Sequence, residues 1–394
     1  MKMRKDYAVV VGLGLNGLGL LRALGHAGVP IVGLDTNLAE PTAATRFGKK
    51  IRVDALSGPA FVENLLALRK KFSSNPVLFL TQEASVATVS GARGEIAAAY
   101  RFTMPDHAFM TSLLNKLLFQ AIAERYNFPV PRAARLSASN GIGQLQSLRF
   151  PCVLKPATRN SAYARRFAKA YKVTNVEDVQ HLWSAMREVI DEVIVQEWIE
   201  GEDSDVYFCL QYRPAESGTS VSFVGRKICQ WPLLTGGTAS CMPAPEVSAE
   251  LTALTDGFFD KAGFVGIGSM EFKRDRRDGR FYLIEPTVGR SDYQEEIASL
   301  NGVNIPLAAY LSELSARVSI PLKPTRPHAW RDPIGYARAR TAGAPDPMLK
   351  LSPEIRICDA YFRVDDPMPY VALKFNALRN RLARPYRITS LKDS

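Results

Sequence analysis

Glu271 and Glu285 are the pair in this chain best suited to chemistry. They lie in GIGSMEFKRDRRDGRFYLIEPTVGR, residues 266–290, where two alternating runs, Gly268 to Lys273 and Arg280 to Glu285, flank a charged segment holding Asp278-Gly279. That pattern predicts a β-hairpin with a tight turn. Side chains alternate along a strand, so Glu271 shares a face with Ser269 and Lys273, and Glu285 with Leu283 and Phe281. A turn centred on Asp278 sets the two glutamates opposite each other, with Cβ atoms about 5 Å apart. Carboxylates so placed repel unless a proton or a cation sits between them. A hard divalent cation such as Mg²⁺ takes one or two carboxylates and completes its shell with phosphate oxygens, which is the chemistry such a pair would serve. A register shifted by one residue would instead make it the solvated face of a surface hairpin.

A second anion-directed feature stands near the N-terminus. The strand-like YAVVVG leads into LGLNGLGLLRALGHAG, and Gly12, Gly14 and Gly17 match GxGxxG, with Asp35 at the end of the next strand, PIVGLD. Such a turn offers backbone N–H groups to a dinucleotide and predicts an NAD(P)-dependent oxidoreductase, unless its glycines serve only to pack helix on strand. No Ser–His–Asp set is evident, and none of His26, His107, His181 and His328 needs a catalytic role.

The elements that would position these residues read as α/β. A helix is expected near 59–71, a buried strand at 76–81 and a helix from Glu83. The segment TSLLNKLLFQAIAERYNFPVPRAARL predicts one amphipathic helix ending at Tyr126-Asn127, with Lys116 inside it. FPCVLKPA at 150–157 is a buried strand carrying Lys155, and TRNSAYARRFAKAYKV reads as a loop and then a strand. A helix over Val176–Ile190 precedes VIVQEWIEGED, a core strand running into an acidic, glycine-bearing connection. Residues 205–212 and 221–231 alternate like strands, LLTGGTASC at 233–241 reads as a small-residue loop, and a helix is expected over 246–262.

With 394 residues, 46% of them hydrophobic and 23% charged, the chain has material for two or three domains. No apolar run nears the roughly 20 residues that span a bilayer. The five cysteines show no CxxC spacing, so neither a disulfide framework nor a zinc site is indicated and a reducing cytoplasm is expected. The net charge of +11 is uneven: from 320 to 394 there are 14 Lys and Arg against 7 Asp and Glu, or +7. A nucleic-acid binder should be basic through its folded body, so no nucleic-acid partner is expected.

Taken in order, Lys116, Lys155, Glu197, Glu271 and Glu285 form a series in which FPCVLKP, VQEWIEGED and SMEFKRD…YLIEPTVGR are the most specific pieces. On that ordered set the chain resembles the ATP-grasp enzymes, and more narrowly the carboxylate–amine ligases grouped with D-aspartate ligase, over residues 7–310. The resemblance implies an α/β ATP-grasp fold. Its parts would be a Rossmann-like domain at 1–105, a nucleotide-clamping subdomain at 106–192, a second subdomain with the metal hairpin at 193–318, and a basic C-terminal appendage at 319–394. It implies ATP with Mg²⁺, Mn²⁺ being able to take its place, and small-molecule carboxylate and amine substrates joined through an acyl phosphate; dimers are common among such enzymes.

By the same resemblance Lys116 and Lys155 contact ATP phosphates, Glu197, Trp198 and Ile199 form the adenine hinge, and Asp203 or else Asp205 holds the ribose. Glu271 and Glu285 become Mg²⁺ ligands. Thr287 stands where the family usually has Asn, which weakens a second metal site, and Arg290 would meet the substrate carboxylate or acyl phosphate. Arg226 and the TGGTAS loop at 235–240 lie where substrate-covering groups often occur. The glycine turn is then no NAD site. An oxidoreductase leaves the lysine–glutamate series idle, whereas a non-catalytic nucleotide-binding protein stays compatible with Thr287. Beyond the resemblance, DPMPYVALKFNALRNRLARPYRI predicts a basic amphipathic helix, which suits either an anionic membrane surface or packing on the body.

Overall fold

The computed structural model describes residues 6–158, 161–216, 220–316, 326–344 and 351–382. The boundary expected near 319 and the end of the basic C-terminal segment, 383–394, lie outside these.

Three sheets carry the site. The first is parallel, in the order β3-β2-β1-β4: β1 (Ala8–Val11), β2 (Ile31–Asp35), β3 (Lys49–Arg52) and β4 (Val77–Leu80). Its central strand AVVV is wholly buried, as a strand covered on both faces must be. Helices α1 (Leu15–His26), α2 (Pro59–Arg69), α3 (Glu83–Gly91) and α4 (Arg93–Ala99) accompany it. The glycine turn between β1 and α1 has a geometric reason. Gly12 has φ +87°, and a Cβ on Gly17 would lie 2.0 Å from the Gly12 carbonyl oxygen, so helix and turn touch backbone to backbone.

The region expected as one helix is two, α5 (His107–Leu114) and α6 (Lys116–Arg125). Asn115 leaves helical geometry between them, and its side chain accepts from the N–H groups of Leu117 and Leu118, capping α6. Lys116 therefore opens a helix instead of lying inside one.

The second sheet is antiparallel, in the order β5-β8-β6-β7: β5 (Ala133–Ser137), β6 (Cys152–Pro156), β7 (Tyr171–Val173) and β8 (Glu192–Glu197). Between β6 and β7 the expected loop contains a short helix, α7 (Ser161–Arg166), anchored by the fully buried Tyr163. Helix α8 (Val176–Met186) packs Val179, Trp183 and Met186 into the same small core.

The third sheet has seven strands in the order β13-β12-β9-β10-β11-β14-β15. They are β9 (Val206–Arg213), β10 (Val221–Trp231), β11 (Gly237–Pro243), β12 (Gly266–Arg274), β13 (Phe281–Val288), β14 (His328–Arg331) and β15 (Arg356–Asp359). The small-residue stretch expected as a loop is in part β11, whose Thr238, Ala239, Ser240 and Cys241 are buried between neighbouring strands. Helix α9 (Ser248–Ala262) covers the sheet, and α10 (Glu296–Leu300), α11 (Ile305–Glu313) and α12 (Pro333–Thr341) follow. The stretch after residue 319, read in the sequence as an appendage, thus supplies β14 and β15 to this sheet and then helix α13 (Met368–Leu382).

Candidate functional site

Glu271 and Glu285 face each other across the β12–β13 hairpin, with a register irregularity just after Glu271. Strand β13 is the sheet edge, where Pro286 costs no ladder bond that a central strand would need. Four lysines, three from α6, β6 and β10 and one from the loop before β7, close on this pair. Lys116 Nζ, at the start of α6, lies 3.6 Å from Glu285 Oε1, and Lys169 Nζ lies 3.5 Å from Glu285 Oε2. Lys227 Nζ, on β10, is 2.6 Å from Glu271 Oε2 and donates to Gln230. Lys155 Nζ, on β6, donates to Gln196 Oε1 at 3.4 Å, and Gln196 in turn donates to Gln120.

Electrostatics follow from this crowding. Burial alone would raise the Glu285 carboxyl, but Lys116, Lys169, Lys155 and Arg290 together hold it well below the usual carboxylate range. Burial pushes the Lys155 ammonium down to about 8, with Glu285 acting against the shift and Lys116 and Lys169 adding to it. Lys169 moves the other way, raised chiefly by Glu285.

Two hollows meet at the glutamates. One is an apolar cleft lined by Val153, Ile199, Val206, Leu234 and Ile284, with Lys155 at its polar end. The other is polar and is lined by Asn16, Thr238, Thr287, Arg290, Asp292 and Gln294. Glu271, Glu285 and Lys169 border both. The arrangement can hold an extended molecule with a flat apolar end and a highly anionic centre, and present that centre to a second, polar molecule.

The residues singled out in the sequence are placed unevenly. Lys116, Lys155, Glu271, Glu285, Thr287 and Arg290 gather here. Arg290 Nη1 donates to the Ser291 carbonyl, while its buried Nε has no protein acceptor. Trp198 and Ile199 line the apolar cleft, and Lys172 Nζ sits 4.5 Å from the Trp198 ring centroid. Glu197 reaches the cleft too, but its carboxylate accepts from the Arg149 backbone N–H at 2.9 Å and is engaged there. Asp203 accepts from Gln230 N, Gln230 Nε2 and Leu234 N, tying down the start of the 231–236 turn. Asp205 likewise accepts from Glu202 N and pairs with Arg276. Arg226 contacts Met242 Sδ, and Gly236, Gly237 and Thr238 of the TGGTAS segment line the polar hollow.

Lys169 and Lys227 are the residues the sequence reading passed over. Lys227 did carry a signal, being a lysine in the middle of a buried strand, where an unpaired charge is not tolerated. Lys169 had none, because it is one of several cations in a basic loop.

No family model matches the chain. It is 23% identical over 324 residues to the D-aspartate ligase of Enterococcus faecium (strain Aus0004), covering 77% of this chain and 75% of that ligase. Among solved structures, N5-carboxyaminoimidazole synthetase from Staphylococcus aureus complexed with ADP superposes with TM-score 0.63 at 13% identity, over 82% of each chain. The biotin carboxylase domain of Hydrogenobacter thermophilus 2-oxoglutarate carboxylase, in complex with MgADP, ADP and bicarbonate, gives TM-score 0.62 at 15% identity over 82% of this chain and 72% of that one. The chain has the ATP-grasp fold.

Within this fold the glycine turn is engaged by the chain itself. Asp35 Oδ2 accepts from Leu13 N at 2.6 Å, and Asn16 is bonded to Ser291 through both its amide nitrogen and its amide oxygen. A pyrophosphate on this turn would have to displace Ser291. The hairpin pair, by contrast, is open to both hollows. Each carboxylate already meets lysines, Glu271 through Lys227 and Glu285 through Lys116 and Lys169, and among the described residues no group of three or more His, Cys, Asp or Glu side chains could hold a metal.

The position of Asp203 carries its own prediction. Asp203→Ala should remove about 1–2 kcal/mol of stability, read as a shift in the urea midpoint, through three hydrogen-bond donors left without their acceptor. A variant with unchanged stability but weakened nucleotide affinity would support the ribose role.

Proposed function

We propose that the protein is an ATP-dependent carboxylate–amine ligase. The observation that carries this reading is the opposed pair Glu271 and Glu285 at the junction of an apolar cleft and a polar hollow, ringed by Lys116, Lys155, Lys169 and Lys227. The adenine would lie in the cleft against Ile199 and Trp198, with the phosphates toward the lysines. Glu271 and Glu285 would hold Mg²⁺, which when bound neutralises charge on the transferring phosphates. Thr287 offers only a short hydroxyl where an amide oxygen would reach further.

In the reaction a substrate carboxylate oxygen attacks the γ-phosphorus, the bond to the bridging oxygen breaks and ADP leaves. Arg290 supplies a planar cation to the resulting acyl phosphate from the polar side. The amine nitrogen then attacks the acyl carbon and loses a proton, phosphate departs, and an amide remains. The chain contributes positioning and preorganised charge. The five cysteines form no disulfide and four of them are buried, which suits a reducing compartment, so we place this activity in the cytoplasm; no helix among the described residues is long and apolar enough to cross a membrane.

The test is ATP-dependent phosphate release with Mg²⁺ across a matrix of carboxylates and amines, starting with D-aspartate. Release that requires one carboxylate and rises with one amine is expected. Tight ATP binding with silence across the matrix would favour a non-catalytic nucleotide binder.

Lys155 adds a pH signature. A lysine whose titration is lowered to about 8 is charged below that pH and neutral above it. ATP affinity should therefore fall as pH rises through 8, by about fivefold between pH 8 and 9, because only the ammonium pairs with phosphate. Calorimetry from pH 7 to 9 checks this, and Lys155→Arg should flatten the dependence. An equally steep fall in the arginine variant would assign the titration elsewhere.

A further inference from the structure

Helix α13 presents an apolar stripe to the outside. Met368, Val371, Phe375 and Leu378 are 49%, 49%, 64% and 55% exposed. At the turn angle of an α-helix these four fall within an arc of about 80°, with Lys374 on one flank and Arg379 on the other. The orientation is fixed from the opposite face. Leu373 packs into the core shared by α1 and α11, and Asn376 Nδ2 donates to the Ala39 carbonyl at 3.3 Å. At the head of the helix Asp366 is fully buried, accepting from Arg22 Nε, Thr45 Oγ1 and Arg46 N. The packing alternative raised by the sequence therefore applies to the face that carries Leu373 and Asn376, and the apolar stripe is left outward.

We propose that α13 docks in the plane of an anionic phospholipid surface, with Phe375 and its apolar neighbours entering the acyl boundary and Lys374 and Arg379 at headgroup level. Charge selects the occupant. From 367 to 394 the sequence holds six Lys and Arg against one Asp, and the exposed Asp365 before the helix is answered by His26 and Arg46. Basic residues bordering an apolar stripe match negatively charged headgroups over hydrocarbon. A second copy of the same face would bring like charges together.

The full chain should float with vesicles of phosphatidylcholine containing about 30% phosphatidylglycerol, and not with phosphatidylcholine alone. Val371→Glu with Phe375→Glu should abolish flotation. Lys374→Glu with Arg379→Glu, which keeps the stripe, should weaken it by more than about tenfold. The melting transition reports that each variant folds. In Phe375→Trp, the emission should shift to the blue on anionic vesicles alone. Several results would overturn the proposal: no flotation of the wild-type chain, flotation unaffected by either double variant, or equal flotation on neutral vesicles. A lipid-free dimer that Phe375→Glu dissolves, without vesicle binding, would make the stripe a contact between copies. Flotation gained only on deleting 383–394 would make that segment its cover.

Discussion

Changing Glu285 to Gln is expected to lower ATP-dependent turnover by at least about 10³-fold while the protein stays folded. Glu285 is the point on which Lys116, Lys169, Lys155 and Arg290 converge, and it remains charged despite burial because of them. The amide keeps the shape and removes the charge. Two consequences then separate. Mg²⁺-dependent phosphate release collapses if, as proposed, Glu285 is one of two ligands of the cation. Binding of metal-free ATP becomes tighter, because the same lysines and arginine are no longer offset by an anion. Steady-state phosphate release and calorimetry with and without Mg²⁺ read the two effects independently. Near-normal turnover in the variant would remove the hairpin from the reaction. A parallel loss of fold would be visible in the melting transition, and Glu285→Asp then serves as the less disruptive control.

The second large effect concerns stability. Asp366→Asn should cost about 3–5 kcal/mol, the range found when one member of a buried ion pair is removed. Arg22 is only 2% exposed and donates to Asp366, to Glu296 and to the carbonyls of Ala360 and Tyr361. Burial raises the Asp366 carboxyl, but hydrogen bonds from Thr45, the Arg46 backbone and Arg22 outweigh it and leave it below its ordinary 3.8. A depressed carboxyl stabilises the fold above that value and stops doing so as pH falls through it. Urea midpoints should therefore drop below about pH 4 more steeply for the wild-type chain than for Asp366→Asn. Equal slopes would show that Asp366 is not part of the acid sensitivity.

Much of the site could be read before the fold was known, for reasons that differ by residue. The opposition of Glu271 and Glu285 follows from a period of two and one short turn, both local properties. Lys116 and Lys155 were legible through the ordered series, although the break at Asn115 was hidden: its flanks share one apolar periodicity, and only the capping side chain interrupts it. The bonds of Asp203 were not legible, because sequence position does not say where a loop carboxylate turns, and here three nearby donors meet it. Lys169 could not be found without knowing that the α7–β7 segment folds over Glu285. The long-range pairing of Arg22 with Asp366 leaves no local trace at all.

That pairing joins positions 344 residues apart. During synthesis Arg22 emerges early on α1, whereas α10, α11 and its acceptors Glu296, Ala360, Tyr361 and Asp366 all lie far downstream, Asp366 being made roughly 17–70 s later at ordinary elongation rates. Until then the guanidinium stays in water, since the groups that bury and pair it come later. The N-terminal sheet should stay loosely closed on the ribosome and tighten as a late event, when the segment before α13 threads back against α1.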